Sequence, residues 1–333
     1  MPARRLGACF KGGLRLCIDS RGMNPPEPRQ LPAAPFKTLI NSNLRLKIVD
    51  IGANPLDDGP PPYAGLLGAG DVDLVGFEPH APSLDELNRR KGPFETYLPQ
   101  AVGDGRRHTL RICHAPGLSS VLAPNPPVMR LFHLFPIWSR VFSTLDVDTV
   151  RLDDVPETAG ADFIKMDIQG GELMAFGGAI NRLREVAVIQ TEVSFVPLYV
   201  GQPLFSEIEI FLRQQGFMFH RFFPIASRLI SPFLLDNGLY AGFSQEMQAD
   251  AVFVRDFTRQ ELLTDRQLMA TAIIMHDCYR SFDAALFQLL ELDRRNNTKL
   301  GSQYMEALQP YFPDQVVWMW KGPVKGPPAA AKP

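Results

Sequence analysis

Eight short apolar runs rich in β-branched residues recur along the chain, at 46–51, 72–77, 96–102, 109–113, 163–168, 186–193, 217–222 and 251–254. Runs of this length fit strands buried on both faces. Helix signals fall between them. Ser83 and Glu86 have the spacing of a capping box with Gly92 as the stop, and Ser206 and Glu209 repeat it with Gly216. Strands alternating with helices give right-handed crossovers that cover both faces of one sheet. The expected fold is therefore α/β, a doubly wound, mostly parallel sheet. After Arg255 the pattern becomes helical: Thr264 and Gln267 form a third box, followed by Leu268, Ala272, Met275 and Tyr279, then Phe282, Leu286 and Leu289. These residues predict a C-terminal helical appendage packed on the α/β core, with an outward face on which a homodimer can form.

Proline marks the boundaries. The chain has 30 prolines in 333 residues, nearly twice the usual share. They cluster at 25–35, 60–62, 124–127 and 323–333. The reading is a flexible N-terminal segment over 1–36, a main domain over 37–255, a helical extension over 256–313 and a flexible tail over 314–333. The formal net charge is −2, which gives no global field toward nucleic acid or anionic lipid. Nor does any apolar window approach the length of a membrane span. The four cysteines, Cys9, Cys17, Cys113 and Cys278, have neither disulfide nor C-x-x-C spacing, so free thiols and a cytoplasmic location are expected. A transit peptide is the alternative for the basic start. The six histidines form no ligand pair, so no metal site is expected from them; magnesium held by acids such as Asp167 and Asp104 is the open alternative.

Ligands of an open parallel sheet bind beyond the carboxyl ends of the strands. Those positions are acidic here: Asp50 before Gly52 and Asn54, then Glu78, Asp104, and Asp167 with Glu172. A dinucleotide fold needs G-x-G-x-x-G at the first turn. Here Gly52-Ala53-Asn54-Pro55 breaks that spacing, and Asp57 and Asp58 would repel a diphosphate. S-adenosylmethionine carries cationic sulfonium and amino groups, and its ribose hydroxyls can donate to a carboxylate. Glu78, 28 residues past Asp50, stands where an acid holds a ribose in nucleotide-binding folds. The cofactor set is thus Asp50, Gly52, Asn54, Glu78 and Asp104.

The segments VDIGAN at 49–54, GFEP at 76–79, AVGD at 101–104, RLDD at 151–154, FIKMDIQGGE at 163–172 and TEV at 191–193 resemble, in order and context, the FkbM-type methyltransferases. The stretch FVPLYVGQPLF at 195–205 is also similar to that family. The resemblance spans roughly 37–255. It implies a class I methyltransferase, Rossmann-like fold, S-adenosylmethionine as cofactor, and O-methylation of a hydroxyl on a sugar, glycan or secondary metabolite. It also carries the D-x-Q-G-x-E motif onto Asp167, Gly170 and Glu172. The first loop departs from the family pattern: glycine usually follows soon after the asparagine, whereas here Pro55 to Asp58 precede Gly59.

Methyl transfer to a hydroxyl requires alignment of the nucleophile and removal of its proton. Asp167 is the first candidate base and Glu172 the second, though either acid can instead cap the helix that follows. Lys165, two residues before Asp167, shares its sheet face and suits pairing with a carboxylate. Glu192 ends an apolar run, either as a pocket-facing acid for substrate or as half of a buried ion pair. His114 is a second candidate substrate contact. The aromatic stretch 128–145 reads as an amphipathic or lid helix, or as a substrate cover. Two other readings compete with an enzyme of this type: a catalytically silent methyltransferase-like binding module, signalled by the altered loop, and a nicotinamide oxidoreductase, opposed by the missing glycines.

Overall fold

The computed structural model describes residues 34–54, 59–236, 238–239 and 241–312. The residues at 1–33 and 314–333, the Pro55-to-Asp58 departure, Cys9, Cys17, Trp318 and Trp320 lie outside them. Among the described residues, ten strands form two sheets: β1 (Leu46–Ile51), β2 (Val72–Phe77), β3 (Glu95–Leu98), β4 (Ala101–Val102), β5 (Arg107–Cys113), β6 (Val141–Val150), β7 (Phe163–Met166), β8 (Val188–Ser194), β9 (Phe217–Arg228) and β10 (Gln245–Arg255). The main sheet has the order β3-β2-β1-β7-β8-β10-β9. Its first five strands are parallel, and β10 runs antiparallel to both β8 and β9. The doubly wound, mostly parallel sheet is therefore present. Strand order reverses between β1 and β7, where a ligand crevice belongs.

Side-chain alternation assigns the two faces. Leu46, Ile48, Phe163, Val188, Val252 and Val254 pack with Leu268, Ile274 and Met275, which belong to the helix Asp265–Asp277. Val49, Ile51, Ile164, Met166, Ile189 and Phe253 pack on the other side with Ala175, Phe176, Leu183, Ile208 and Leu212. The helix Asp265–Asp277 starts at the expected Thr264–Gln267 capping box, in which Thr264 Oγ1 accepts from Gln267 N–H at 3.1 Å. This first C-terminal helix is one of the sheet's two covering layers. Phe36, read with the N-terminal segment, is fully buried against the same layer, and its N–H donates to Asp277 Oδ1 at 2.9 Å.

Four local expectations are corrected. The run 96–102 is two strands in two sheets, broken at Pro99, which has no N–H to give a ladder. Ser83 lies inside the helix Ala81–Arg90 instead of capping it. Pro82 fits the first turn, and Glu86 pairs with Arg89 and Arg90. At the helix Phe205–Gln214 the acid that reaches back is Glu207, accepting from Leu204 N–H at 3.0 Å, while Glu209 pairs with Arg213. The stretch 128–145 is no single helix: two single turns, Pro126–Met129 and Phe135–Trp138, lead into β6. Leu134 at φ 67° and Pro136 interrupt it. Cys113 and Cys278, the two described cysteines, are free thiols.

Candidate active site

The alternation that buries Ile48, Phe163 and Val188 carries polar residues one pleat further, at Asp50, Lys165 and Gln190, which lie side by side in register across β1, β7 and β8. Asp50 is buried. It accepts the Tyr63 hydroxyl, and Lys165 Nζ lies 3.5 Å from its other oxygen. Lys165 therefore takes the structural pairing role foreseen for it. Gln190 continues the network, donating to Asp250 Oδ2 and accepting from the Tyr279 hydroxyl, both at 2.6 Å. Burial, then the Asp50 charge, hold the Tyr63 phenol well above its usual range. It is therefore a proton donor to Asp50.

The backbone at the switch point is close-packed. Gly52 has φ +85°, and a Cβ there would stand 2.1 Å from the Asp167 carbonyl oxygen. Only glycine fits. Its N–H donates to Phe77 O at 3.1 Å, which ties the turn after β1 to the end of β2. Glu78 follows immediately, buried, with Oε1 accepting the His80 N–H at 2.8 Å. Half-buried Asn54 is two residues past Gly52.

Asp104 stands in the turn between β4 and β5. Its Oδ1 accepts from His108 Nε2 at 2.7 Å and from Arg106 N–H at 3.0 Å. The His108 hydrogen bond holds its carboxyl below the ordinary range. His114 is exposed, and its N–H is spent on Arg140 O at 2.9 Å.

Asp167, Glu172 and Glu192 come together: each offers an oxygen within 4.8 Å of those of the others. Gln169 bridges two of them, donating to Asp167 Oδ1 at 2.8 Å and Glu192 Oε2 at 3.1 Å. Gln248 of β10 donates to the second Glu192 oxygen at 2.7 Å. Glu172 Oε1 accepts from Ile168 N–H at 3.0 Å and Gly170 N–H at 3.2 Å, so the acid does hold the turn before its own helix. Burial nonetheless raises its carboxyl to about 7, with the Asp167 charge adding to the shift. Glu192 is held well above the usual range by burial first and then by Asp167, Glu172 and Asp250, against Lys165. Three such oxygens also suit a hard divalent cation, which the spacing of histidines and cysteines had not suggested.

Sequence reasoning missed Tyr63, Gln169, Tyr199 and Gln248. Gln169 carried one usable signal: it sits inside the D-x-Q-G-x-E run, and it occupies the left-handed region at φ 57°, which a side chain adopts only under constraint. Tyr199 closes the cluster from above, its hydroxyl 3.4 Å from Gln169 Oε1 and 3.3 Å from Leu118 O.

Sheet order, switch point and acidic strand ends together define a class I methyltransferase fold. The Methyltransferase FkbM domain model matches residues 50–219, and the chain belongs to that family. Among solved structures, methyltransferase FkbM from Methylobacillus flagellatus is similar at 17% identity and TM-score 0.34, over 67% of this chain and 48% of that one. The chain thus spans about half the length of that relative. The magnesium protoporphyrin IX methyltransferase from Synechocystis, with bound S-adenosylmethionine, is similar at 11% identity and TM-score 0.33, over 64% and 72%. A variant 16S rRNA (adenine(1408)-N(1))-methyltransferase from Catenulisporales acidiphilia is similar at 13% identity and TM-score 0.32, over 63% and 86%. No curated protein sequence matches the chain.

Proposed function

We propose that the chain is an S-adenosylmethionine-dependent methyltransferase that acts on a hydroxyl of a sugar, glycan or secondary metabolite. The observation that carries this reading is the division of acids at the switch point. Asp50 and Glu78 are buried and anchored at the ends of β1 and β2, while Asp167, Glu172 and Glu192 gather around Gln169. The donor set fits the cofactor: buried carboxylates suit ribose hydroxyls and cationic groups, and would repel a diphosphate. When bound, the cofactor supplies an electrophilic sulfonium methyl group.

The chain's own residues do the rest. Asp50 and Glu78, with Gly52, Asn54 and Asp104, form the cofactor side. Asp167 and Glu172 face the acceptor, and Glu192 and His114 are assigned to acceptor binding. A carboxyl poised near 7, as Glu172 is, can take a hydroxyl proton near neutral pH. Gln169 fixes Asp167 and Glu192 relative to each other, which is a positioning task.

Calorimetric titration with S-adenosylmethionine and S-adenosylhomocysteine, with NAD as control, tests the cofactor. Micromolar binding, about −8 kcal/mol, of the two adenosine ligands alone is expected. Absence of binding by a folded protein would instead favour the silent binding module. Asp167→Asn is expected to lower turnover far more than cofactor affinity; unchanged turnover would remove Asp167 as the base.

A further inference from the structure

The turn that carries the acid cluster has two consecutive residues at positive φ, Gln169 at 57° and Gly170 at 96°. Glycine takes such a conformation freely, but glutamine does so only when its surroundings hold it there. What holds it comes from another part of the chain. Ser120 is buried; its hydroxyl donates to Gln169 O at 2.6 Å and accepts Leu122 N–H at 3.0 Å. Ser120 is fixed in turn by β5, since its N–H donates to Arg111 O at 3.2 Å and its carbonyl accepts Arg111 N–H at 2.8 Å. Further along, Val200 N–H donates to Ala123 O and Asn125 N–H to Leu198 O, both at 2.8 Å. The segment 120–125 is therefore strapped between the second sheet and residues 198–200. It lies directly on the turn: a Cβ at Gly170 would stand 3.1 Å from Leu122 and 3.3 Å from Tyr199.

The Gln169 side chain is held as well. The hydroxyl of buried Tyr199 lies 3.4 Å from its Oε1, and the amide nitrogen on the other side donates to Asp167 and Glu192. An amide has donors at one end only, so the two carboxyl groups share a donor only while both the backbone turn and the amide keep this orientation. A turn relaxed to negative φ would swing the side chain away from them.

We infer that Ser120 is a positioning residue for the acid cluster: it fixes the Gln169 backbone while Tyr199 fixes the amide, and one glutamine thereby donates to Asp167 and Glu192 at once. The bearing of this hold on catalysis rests on the methyl-transfer reading; the hold itself does not.

Nitrogen–proton correlation spectra of the full chain, isotopically labelled at glutamine nitrogen, test it, with Gln169→Met identifying the Gln169 side-chain signals by their loss. In the parent both amide protons should lie at hydrogen-bonded positions and exchange slowly with water. Ser120→Ala should move them toward the free-amide positions and speed their exchange about five- to tenfold, the scale of one lost hydrogen bond. Tyr199→Phe, which removes only a hydroxyl, should move them in the same direction and reads the same hold if Ser120→Ala does not fold. Ser119 Oγ accepts Cys113 N–H at 3.1 Å and so ties the same segment to β5 by a different bond; Ser119→Ala should leave the Gln169 signals unchanged. Parental signals in both Ser120→Ala and Tyr199→Phe would overturn the inference. An equal change in Ser119→Ala would overturn it too, because any loosening of the segment would then suffice, and so would free-amide signals in the parent. These signals are read without cofactor or acceptor, so a failure of S-adenosylmethionine to bind would count against the methyl-transfer reading and not against this one.

Discussion

Replacing Gly52 by alanine probes the junction on which the whole site rests. The added Cβ would stand 2.1 Å from the Asp167 carbonyl oxygen, more than about 1 Å inside ordinary contact. The blocking atom is backbone, so no side chain can rotate away. Asp167 N–H donates to Ile51 O at 3.0 Å, which means that a shift of Asp167 also pulls on β1. Two costs combine: about 1–2 kcal/mol for a side chain held at positive φ, and about 1–3 kcal/mol for overpacking. The expected loss is about 2–5 kcal/mol, a large part of the roughly 5–15 kcal/mol that holds a typical domain folded. In a chain of this size it should appear as a fall of about 5–15 °C in melting temperature. Gly117→Ala is the control, since nothing lies within 4 Å of its added carbon, and it should change stability by less than about 0.5 kcal/mol. Thermal and urea denaturation read both. A Gly52→Ala protein with parental stability would refute the claim that only glycine fits at this turn.

Three further outcomes follow from the geometry. Glu172→Gln keeps an oxygen for the Ile168 and Gly170 N–H groups but cannot ionise. The carboxyl rises from its ordinary 4.5 to about 7 on folding, so the folded state binds the extra proton between those values. Parental stability should therefore fall, relative to the variant, as pH rises from 4.5 to 7, at up to about 1.4 kcal/mol per pH unit; parallel urea profiles would contradict this. Glu78→Ala should weaken S-adenosylmethionine binding in calorimetry by about ten- to hundredfold, and unchanged affinity in a folded variant would remove the ribose assignment. Ile274→Ala, at a fully buried position against the sheet, should cost about 2–5 kcal/mol in urea denaturation; a loss below 1 kcal/mol would mean that the C-terminal helix is only an appendage.

The centre of the sheet was legible because it is simple. β1 and β2 start and stop where their apolar runs do, and the change from Ile48 to Asp50 on one face marks where packing ends and chemistry begins. Legibility failed where local signals had competitors. The Ser83 box lost to a helix started one turn earlier by residues that accept Pro82. The aromatic stretch 128–145 has helical spacing, but Pro136 and the left-handed Leu134 cut it. Asp50, Glu78, Asp167 and Glu172 were readable as strand-end acids. The convergence of Glu192 with Asp167 and Glu172 was not, because it depends on the lateral register of β7 with β8 and on the turn at Gln169, neither of which leaves a periodic trace. Gln248 reaches Glu192 only because β10 returns antiparallel.

The pairing of β1 with β7 joins residues 115 positions apart, as Asp50 with Lys165. At a synthesis rate of about 5–20 residues per second, one edge of β1 waits about 5–25 seconds for its partner. By then β1, β2 and β3 have all been made, and the edge of β1 that pairs with β7 is an apolar edge without its native partner, which is open to wrong pairing. Substitutions at core positions of these strands such as Ile48, Val72 and Leu74 should thus reduce the yield of soluble protein more than they reduce the specific activity of the molecules that reach the native state.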